Sequence, residues 1–344
     1  MRASVIVRSR NESARLRLTL ASLACQSEPA EIVVVNDGST DETDAVLHAA
    51  SIETPLVRID HEQALGRSLA ANAGAQRASG DILIFLDGDT LAAPDFVERH
   101  LAAHSKRGGV VARGETLHLR QTRVFADPET GSPMPGEEAR VAAMPERERA
   151  RSRVTKADIS RNFSSIELRA QPGIYPGAGP RRLYDLEMEA LQAETDCGVL
   201  WAAASGSNQS VARLAFLEAG GFDPELSINE HREIALRLVK AGLRMALATG
   251  ARSFHMIHRK GWRDPLVERD WEKRFYRLHP IPETPLLAVL WASLAETSAL
   301  PAYARIRSLP DLFRAARRCD GVVGIEAVRR AHLAASERER AFLE

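Results

Sequence analysis

Ile82-Leu83-Ile84-Phe85-Leu86-Asp87-Gly88-Asp89-Thr90 is the stretch whose reading decides the fold. An unbroken apolar run lies between Gly80-Asp81 and Gly88, and a short run bounded by turn residues reads as a buried strand. Buried on both faces, it fits the centre of a parallel sheet better than an edge. Its carboxyl end then delivers Asp87 and Asp89 to the side where open α/β sheets bind ligands. Two hard oxygen donors so close together suit Mg2+ or Mn2+ carrying a substrate diphosphate. The plainer alternative is an Asp-Gly turn that simply ends a strand, and the rest of the chain has to decide.

Working outward, the same pattern recurs. Ser4-Val5-Ile6-Val7 reads as a strand, and Leu16, Leu20 and Leu23 mark a helix that runs to Ala24. Glu31-Ile32-Val33-Val34-Val35 is a second buried strand, closed by Asn36-Asp37-Gly38. Ser39-Thr40-Asp41-Glu42 has the form of a capping box, so a helix is expected to start there. Pro55 to Ile59 is a third strand, and Leu65 to Arg77 a helix leading into the opening stretch. Strands alternating with helices imply parallel pairing and right-handed crossovers. Asp95 to Ser105 then reads as a helix and Gly109-Val110-Val111-Ala112 as a strand.

The character changes near Glu115. From there to Glu194 charges, Pro and Gly dominate, with Pro128, Gly131, Pro133, Pro135 and Gly136 marking a loop. Glu146 to Lys156 alternates charge, as a solvated helix face does. A long segment of this kind inside a domain points to function, here an insertion forming an acceptor-side lid. Regular structure resumes at Val199: a strand at Ser207–Ala212, a helix at Arg213–Ala219 and another at Glu230–Ala241. Two further strands follow, Arg244–Ala248 and Ser253–His258. From Asp264 the pattern is helical, with breaks near Pro280-Ile281-Pro282 and Pro310.

The totals bound the class. A chain of 344 residues allows one large α/β domain with additions, or two domains. Hydrophobic residues at 44% and charged residues at 27% are ordinary for a soluble protein with a sizeable core. Lys+Arg and Asp+Glu are equal at 46 each, so no global field points to nucleic acid. Cys25, Cys197 and Cys319 make neither a disulfide framework nor a zinc pattern, so a reducing compartment is expected. No signal-peptide core precedes the first strand, and the apolar stretch Pro285–Ala295 is too short to span a bilayer. The expectation is a cytoplasmic protein without a membrane span, with peripheral contact left open.

Four polar clusters sit at element ends: Ser9-Arg10-Asn11-Glu12, Asn36-Asp37-Gly38-Ser39, Asp87-Gly88-Asp89 and Glu230-His231. Strand-end clusters of a parallel sheet converge on one crevice. Their order and spacing resemble the family 2 glycosyltransferases, the large inverting group with the GT-A fold. The matching residues are Ser4–Val7 with Asn11-Glu12, and Val33 through Asp41. Gly66, Ala70, Asn72, Gly74 and Gly80-Asp81 follow, then Phe85 through Asp89 at the DXD region. Downstream, Gly220-Gly221-Phe222-Asp223, Glu230 and Glu233 through Leu238 match the acceptor-side region. The likeness covers about residues 3 to 114 and 200 to 260.

The resemblance implies roles position by position. Asp37 would accept a hydrogen bond from a uracil-type ring, its alternative being a helix-entry carboxylate. Ser9, Asn11 and Glu12 would line the nucleoside pocket. Asp87 would face ribose or metal, and Asp89 would hold the ion that bridges the diphosphate, stabilising charge on the leaving nucleoside diphosphate. His255 lies where related enzymes supply a metal-binding histidine from a late strand, and Arg259-Lys260 are placed to neutralise phosphate. Strand alternation turns His255 and His258 to opposite faces, so one of them, not both, is expected at the metal. The family's phosphate-side Arg is absent from Ala70-Ala71-Asn72, and Arg67 is the replacement one turn earlier.

An inverting transferase makes one in-line displacement and needs a base at the acceptor hydroxyl. The family shows Glu-Asp here, with Asp as the base; this chain reads Glu230-His231. Either His231 takes the role, with an ordinary pKa of about 6.5, or Glu230 does, or the site has lost its base.

The expected fold is therefore α/β, a GT-A domain whose Rossmann-like, mostly parallel sheet is flanked by helices, with an insertion and a helical C-terminal region. Residues 1–114 form the nucleotide-sugar half, 115–198 the insertion, 199–262 the acceptor-side half and 263–344 the helical region. The expected activity is metal-dependent transfer, with Mn2+ or Mg2+, from a nucleotide-diphosphate sugar to a hydroxyl acceptor, with inversion implied by the family resemblance. A UDP-sugar is favoured over GDP- or dTDP-sugars, and the acceptor is a glycan, a lipid-linked compound or a small molecule. A catalytically inactive sugar-nucleotide-binding or scaffold protein on the same fold is the alternative. A sugar nucleotidylyltransferase is disfavoured, because Arg8-Ser9-Arg10-Asn11 lacks the Gly-rich signature it needs.

Overall fold

In a computed structural model of the chain, the described residues are 1–53, 55–106, 108–173, 183–193, 196–258, 270–294, 300, 302–318 and 330. They divide into two units. The first comprises Met1–Pro172, Ser205–Phe222 and Ala248–Gly261; the second comprises Gly173–Ala204, Asp223–Leu247 and Trp262–Glu344. The stretch expected as one insertion, 115–198, is thus split, its part up to Pro172 belonging to the first unit.

In the first unit each apolar run forms a strand and each amphipathic stretch a helix. They are β1 (Ala3–Ser9), α1 (Ser13–Ala24), β2 (Glu31–Asp37), α2 (Thr43–Glu53), β3 (Val57–His61), α3 (Arg67–Arg77) and β4 (Ile82–Asp87). β1 pairs in parallel with both β2 and β4, and β3 adds to the far side of β2. The strands have no room for thick side chains above them at one point. A Cβ on Gly74 of α3 would fall 2.5 Å from Ile6 Cγ2, so glycine lets the helix lie directly on β1.

β5 (Thr90–Ala92), α4 (Phe96–Lys106) and β6 (Val110–Leu119) follow. β6 is much longer than the sequence suggested. β7 (Phe125–Asp127) and β8 (Ser132–Pro133) make a hairpin, and β9 (Gln171–Pro172) pairs antiparallel with β6. Between them lie α5 (Glu138–Ala142), α6 (Glu146–Ser152), α7 (Lys156–Arg161) and α8 (Ser164–Glu167). Their apolar residues include a separate small cluster of Val124, Phe125 and Val141 with Met144 against it. Arg17 of α1 forms ion pairs with Asp127 at 2.7 Å and Glu129 at 2.9 Å, tying the hairpin to α1.

Beyond α9 (Leu183–Ala193), β10 (Gln209–Ala212) returns antiparallel between β4 and β6. α10 (Arg213–Glu218) and α11 (Glu230–Lys240) precede β11 (Arg244–Met256). The two strands expected over 244–258 are this single element, which passes Gly250 in the left-handed region at φ +84° and ends before His258. The sheet order is β3-β2-β1-β4-β10-β6-β11-β5 with β9 against β6. β3-β2-β1-β4 is parallel, whereas the pairs β4–β10, β10–β6, β11–β5 and β6–β9 are antiparallel.

Under α4 the sheet carries a buried polar network. His100 Nδ1 and His104 Nε2 lie 2.8 and 2.9 Å from Ser210 Oγ, and His100 Nε2 lies 2.9 Å from Asn208 Oδ1. Asn208 Nδ2 donates to Ala251 O at 3.0 Å, which orients the amide so that Oδ1 must accept from His100. His100 Nδ1 then accepts from Ser210, and Ser210 accepts from His104. Both rings are neutral in this arrangement, and burial pushes His100 down to about 3 and His104 to about 4.

The second unit is helical: α9, a 3-10 turn at Leu200–Ala203, α11, α12 (Asp270–Leu278), α13 (Glu283–Leu294) and α14 (Leu309–Arg318). α13 is apolar all round because it is a core helix, with Leu287, Val289 and Trp291 fully buried. Trp271, Trp291, Phe275 and Trp201 pack at ring distances of 5.5 to 6.1 Å. Pro310, expected as a break, lies in the first turn of α14, where a missing N–H costs nothing. No helix among the described residues is long and apolar enough to cross a membrane.

Candidate metal and nucleotide site

The turn after β4 carries Asp87, Gly88 and Asp89, and the two carboxylates part company there. Asp87 turns to Arg8 at the end of β1, whose Nε donates to Asp87 Oδ1 at 2.7 Å. Asp89 turns the other way and is buried. Its Oδ1 accepts from Thr90 Oγ1 at 2.9 Å. Its Oδ2 lies 3.1 Å from His255 Nε2 and 2.9 Å from His258 Nε2.

Asp89, His255 and His258 each offer one ligand atom, all within 4.8 Å of one another. Both histidines reach Asp89, contrary to the alternation expected of a strand, and Asp87 lies outside this group. Alternation holds only inside a strand, and β11 stops at Met256, so the chain turns before His258 and swings it back to the face of His255. His118 of β6 stacks edge-on against His255, with ring centroids 5.4 Å apart. Arg259 and Lys260 lie outside the described residues.

The electrostatics suit a cation. Burial alone would oppose a charge on Asp89, yet His255 and His258 hold its carboxyl well below the usual carboxylate range. Burial would lower His255, and Asp89 raises it above an ordinary histidine. Glu12 sits in the same negative field. Burial, then Asp89 and Asp87, push its carboxyl well up, and the positive charge of Arg67 only partly opposes them. One carboxylate and two imidazoles are a fitting donor set for a divalent transition metal.

The remaining expected residues fall into two groups. Ser9 is buried where β1 ends, and among the described residues its Oγ has no hydrogen-bond partner. A buried hydroxyl in that state fits a ligand-facing position. Asn11 adopts φ +54°, and its Oδ1 accepts from Thr40 N at 2.7 Å while its own N–H donates to Ser39 Oγ at 3.0 Å. The capping box expected at Ser39 is therefore not formed. Asp41 Oδ1 accepts from Thr43 N at 3.1 Å instead, and α2 begins at Thr43.

Asp37 is buried, and its carboxylate serves the chain itself. Oδ2 accepts from Gly66 N at 2.9 Å; Oδ1 accepts from Leu65 N at 2.9 Å and lies 2.8 Å from His61 Nδ1. It anchors the loop before α3. Arg67 starts α3 and is exposed. Asn72 of α3 grips the Gly220-Gly221-Phe222 turn, exchanging two 2.8 Å hydrogen bonds with Phe222 N and O. A Cβ on Gly221 would fall 2.5 Å from Asn72 Oδ1, and Gly221 adopts φ +71°, so the turn requires glycine.

The sequence model described as Glycosyl transferase family 2 matches residues 4–139, the segment that holds Ser9, Asp37, Asp87 and Asp89. Over residues 4–139 the chain is similar to glycosyl transferase family 2. The chain is 37% identical over 116 residues to the uncharacterized glycosyltransferase YfnE of Bacillus subtilis, covering 33% of this chain and 30% of that one. It is 41% identical over 108 residues to validoxylamine A glucosyltransferase of Streptomyces hygroscopicus subsp. jinggangensis, covering 30% and 25%. The chain thus spans less than a third of the length of these curated relatives.

Solved structures share the fold. TarS 1-349 of S. aureus aligns over 98% of this chain and 92% of its own, with TM-score 0.54 at 15% identity. Its complex with UDP-GlcNAc gives TM-score 0.52 at 14% identity over the same shares. GalNAc-T7 with UDP, GalNAc and Mn2+ aligns over 93% and 55%, with TM-score 0.50 at 19% identity. The chain accordingly has the GT-A fold, with a mixed central sheet and flanking helices.

Glu230 and His231 open α11 in the second unit. Glu230 is buried, and its Oε2 lies 3.7 Å from His231 Nδ1. Arg232 Nη1 lies 2.9 Å from His231 Nε2. A guanidinium only donates, so His231 Nε2 accepts. Arg232 is buried against Glu187 at 2.8 Å and Ala202 O at 2.7 Å, and its guanidinium sits 5.3 Å from the centre of the Trp291 ring. Glu233, which shares a helix face with Glu230, is occupied by Arg237 at 2.6 Å and His279 at 2.8 Å.

Proposed function

We propose that this family 2 chain is a metal-dependent glycosyltransferase that moves a sugar from a UDP-sugar to a hydroxyl acceptor with inversion. The observation that carries the reading is the convergence of Asp89, His255 and His258 on one point at the end of β4. Ser9, Glu12 and Asp87 come from the neighbouring strand ends, where open α/β sheets bind ligands. UDP is favoured because TarS, on the same fold, is seen with UDP-GlcNAc.

Asp89, His255 and His258 would hold the ion. Imidazole donors favour Mn2+ over Mg2+, which keeps to oxygen ligands. When bound, the metal neutralises charge that develops on the leaving nucleoside diphosphate. The chain's own residues do the rest. Ser9 offers a buried hydroxyl to the donor, and Arg67 brings a cation to the same field as Glu12. Asp37 holds the loop before α3.

Glu230 is our assignment for the general base, taking the acceptor hydroxyl proton as the sugar transfers. The support is at His231, whose Nε2 lone pair is committed to Arg232 and is not available for a proton. The acceptor is a glycan, a lipid-linked compound or a small molecule.

Nucleoside diphosphate release from UDP-, GDP- and dTDP-sugars, with Mn2+, with Mg2+ and with EDTA, tests the reading. Release from a UDP-sugar with Mn2+, abolished by EDTA, is the expected result. Absence of both turnover and sugar-nucleotide binding would overturn it and favour a scaffold on this fold.

A further inference from the structure

The two-histidine arrangement depends on where the chain leaves the sheet. Inside β11 His255 alone would face Asp89; it is the turn at Met256-Ile257 that brings His258 to the same carboxylate. Such a turn leaves peptide groups without ladder partners, and buried peptide groups must find others. Met256 N still pairs in the ladder, donating to Asp89 O at 2.9 Å. Two side chains meet the carbonyls that follow. Met256 O accepts from Arg15 Nε at 3.2 Å. Ile257 O lies 3.0 Å from Thr122 Oγ1, whose single proton is shared with Leu119 O at 2.8 Å.

Arg15 is an unusual residue for this place. It lies on the buried side of α1, 5% exposed, and each of its three guanidinium nitrogens donates to a main-chain carbonyl. Besides Met256 O, Nη2 donates to Phe125 O at 2.8 Å and Nη1 to Ala126 O at 3.2 Å. Its fork thus joins the start of β7 to the turn between the two histidines. Thr122, 1% exposed, belongs to the 3-10 turn Arg120–Val124 that leads into β7. The first part of the 115–172 segment, expected as lid, therefore braces the turn from one side while α1 braces it from the other.

We infer that Arg15 and Thr122 are positioning residues that clamp the Met256-Ile257 turn and so create the two-histidine, one-carboxylate metal site. The inference rests on the proposed metal-dependent reading of Asp89, His255 and His258, and concerns residues that touch neither metal nor substrate. Neither is placed as a ligand: Arg15 carries no lone pair for a metal, and Thr122 directs its hydroxyl at carbonyls. Residues that orient metal ligands commonly change metal affinity by about 10–100-fold when removed.

The test is Mn2+ affinity of the full chain by isothermal titration calorimetry, at a temperature where thermal unfolding shows every variant folded. The variants are Thr122→Val, Arg15→Lys and Arg15→Met. Thr122→Val keeps shape and volume and removes only the hydroxyl. The clamp predicts an Mn2+ dissociation constant about tenfold higher for Thr122→Val and about 10–100-fold higher for Arg15→Met, with Arg15→Lys between. A purely structural role would lower the melting temperature of the metal-free protein and leave the dissociation constant in place. Should Arg15→Met fail to fold, Thr122→Val and Arg15→Lys decide. Wild-type binding matched by both of them overturns the clamp alone. A wild type that binds no Mn2+ overturns the metal-dependent reading and the clamp with it.

Discussion

His258 Nε2 lies 2.9 Å from Asp89 Oδ2, beside His255 Nε2 at 3.1 Å on the same oxygen. Three residues apart on one strand, the two rings would face opposite ways; here they share a carboxylate. His258→Ala should therefore weaken Mn2+ binding by more than the about 10–100-fold typical of an outer-shell change. Calorimetric titration checks it, and Asp89→Asn should match or exceed the effect.

Asp87→Asn should behave differently. Its carboxylate is held by Arg8 at 2.7 Å and stands outside the ligand group. Mn2+ affinity should change by less than about threefold, well short of the loss of a ligand. Stability should fall by about 1–3 kcal/mol, because the amide leaves a largely buried guanidinium poorly matched. Titration and thermal unfolding on one sample separate the two effects.

Glu230→Gln should cut turnover by about 10²–10⁴-fold, the usual contribution of a positioned base. Affinity for a UDP-sugar, read without acceptor, should stay near wild type. His231→Gln should retain more turnover than Glu230→Gln. The reverse order would move the base to His231.

Stability should fall with acid before the carboxylates titrate. Burial holds His100 near 3 and His104 near 4, against about 6.5 unfolded. Between these values the unfolded chain binds more protons, so stability rises with pH across roughly pH 4 to 6.5 and is lost as pH falls through that window. Each histidine adds a slope of up to about 1.4 kcal/mol per pH unit. His104→Gln, which retains an N–H toward Ser210, should flatten the slope of urea unfolding free energy against pH.

Much of this was legible in the chain. The apolar runs at Ile6, Val34 and Ile84 became parallel strands, because burial on both faces leaves few other ways to use them. Asp87-Gly88-Asp89 became the turn beside the ligand group, and Gly220-Gly221 a turn that only glycine permits. Other readings failed for reasons of distance in space. Ser39 looked like a helix cap, and Asn11 claimed it from another loop. Asp37 also holds the loop before α3, a contact no local pattern contains.

The sequence by itself determined the strands and helices from β1 to α4, where the acidic turn falls and that polar residues gather at strand ends. These follow from periodicity and turn chemistry, which act over a few neighbouring residues. Only the tertiary structure decided which carboxylate and which histidines meet. Arg8 draws Asp87 aside, and Arg15 and Thr122 receive the carbonyls where β11 stops. The end of that strand is set by partners far away in the chain, so the alternation rule fails at His258 for a cause no local pattern contains.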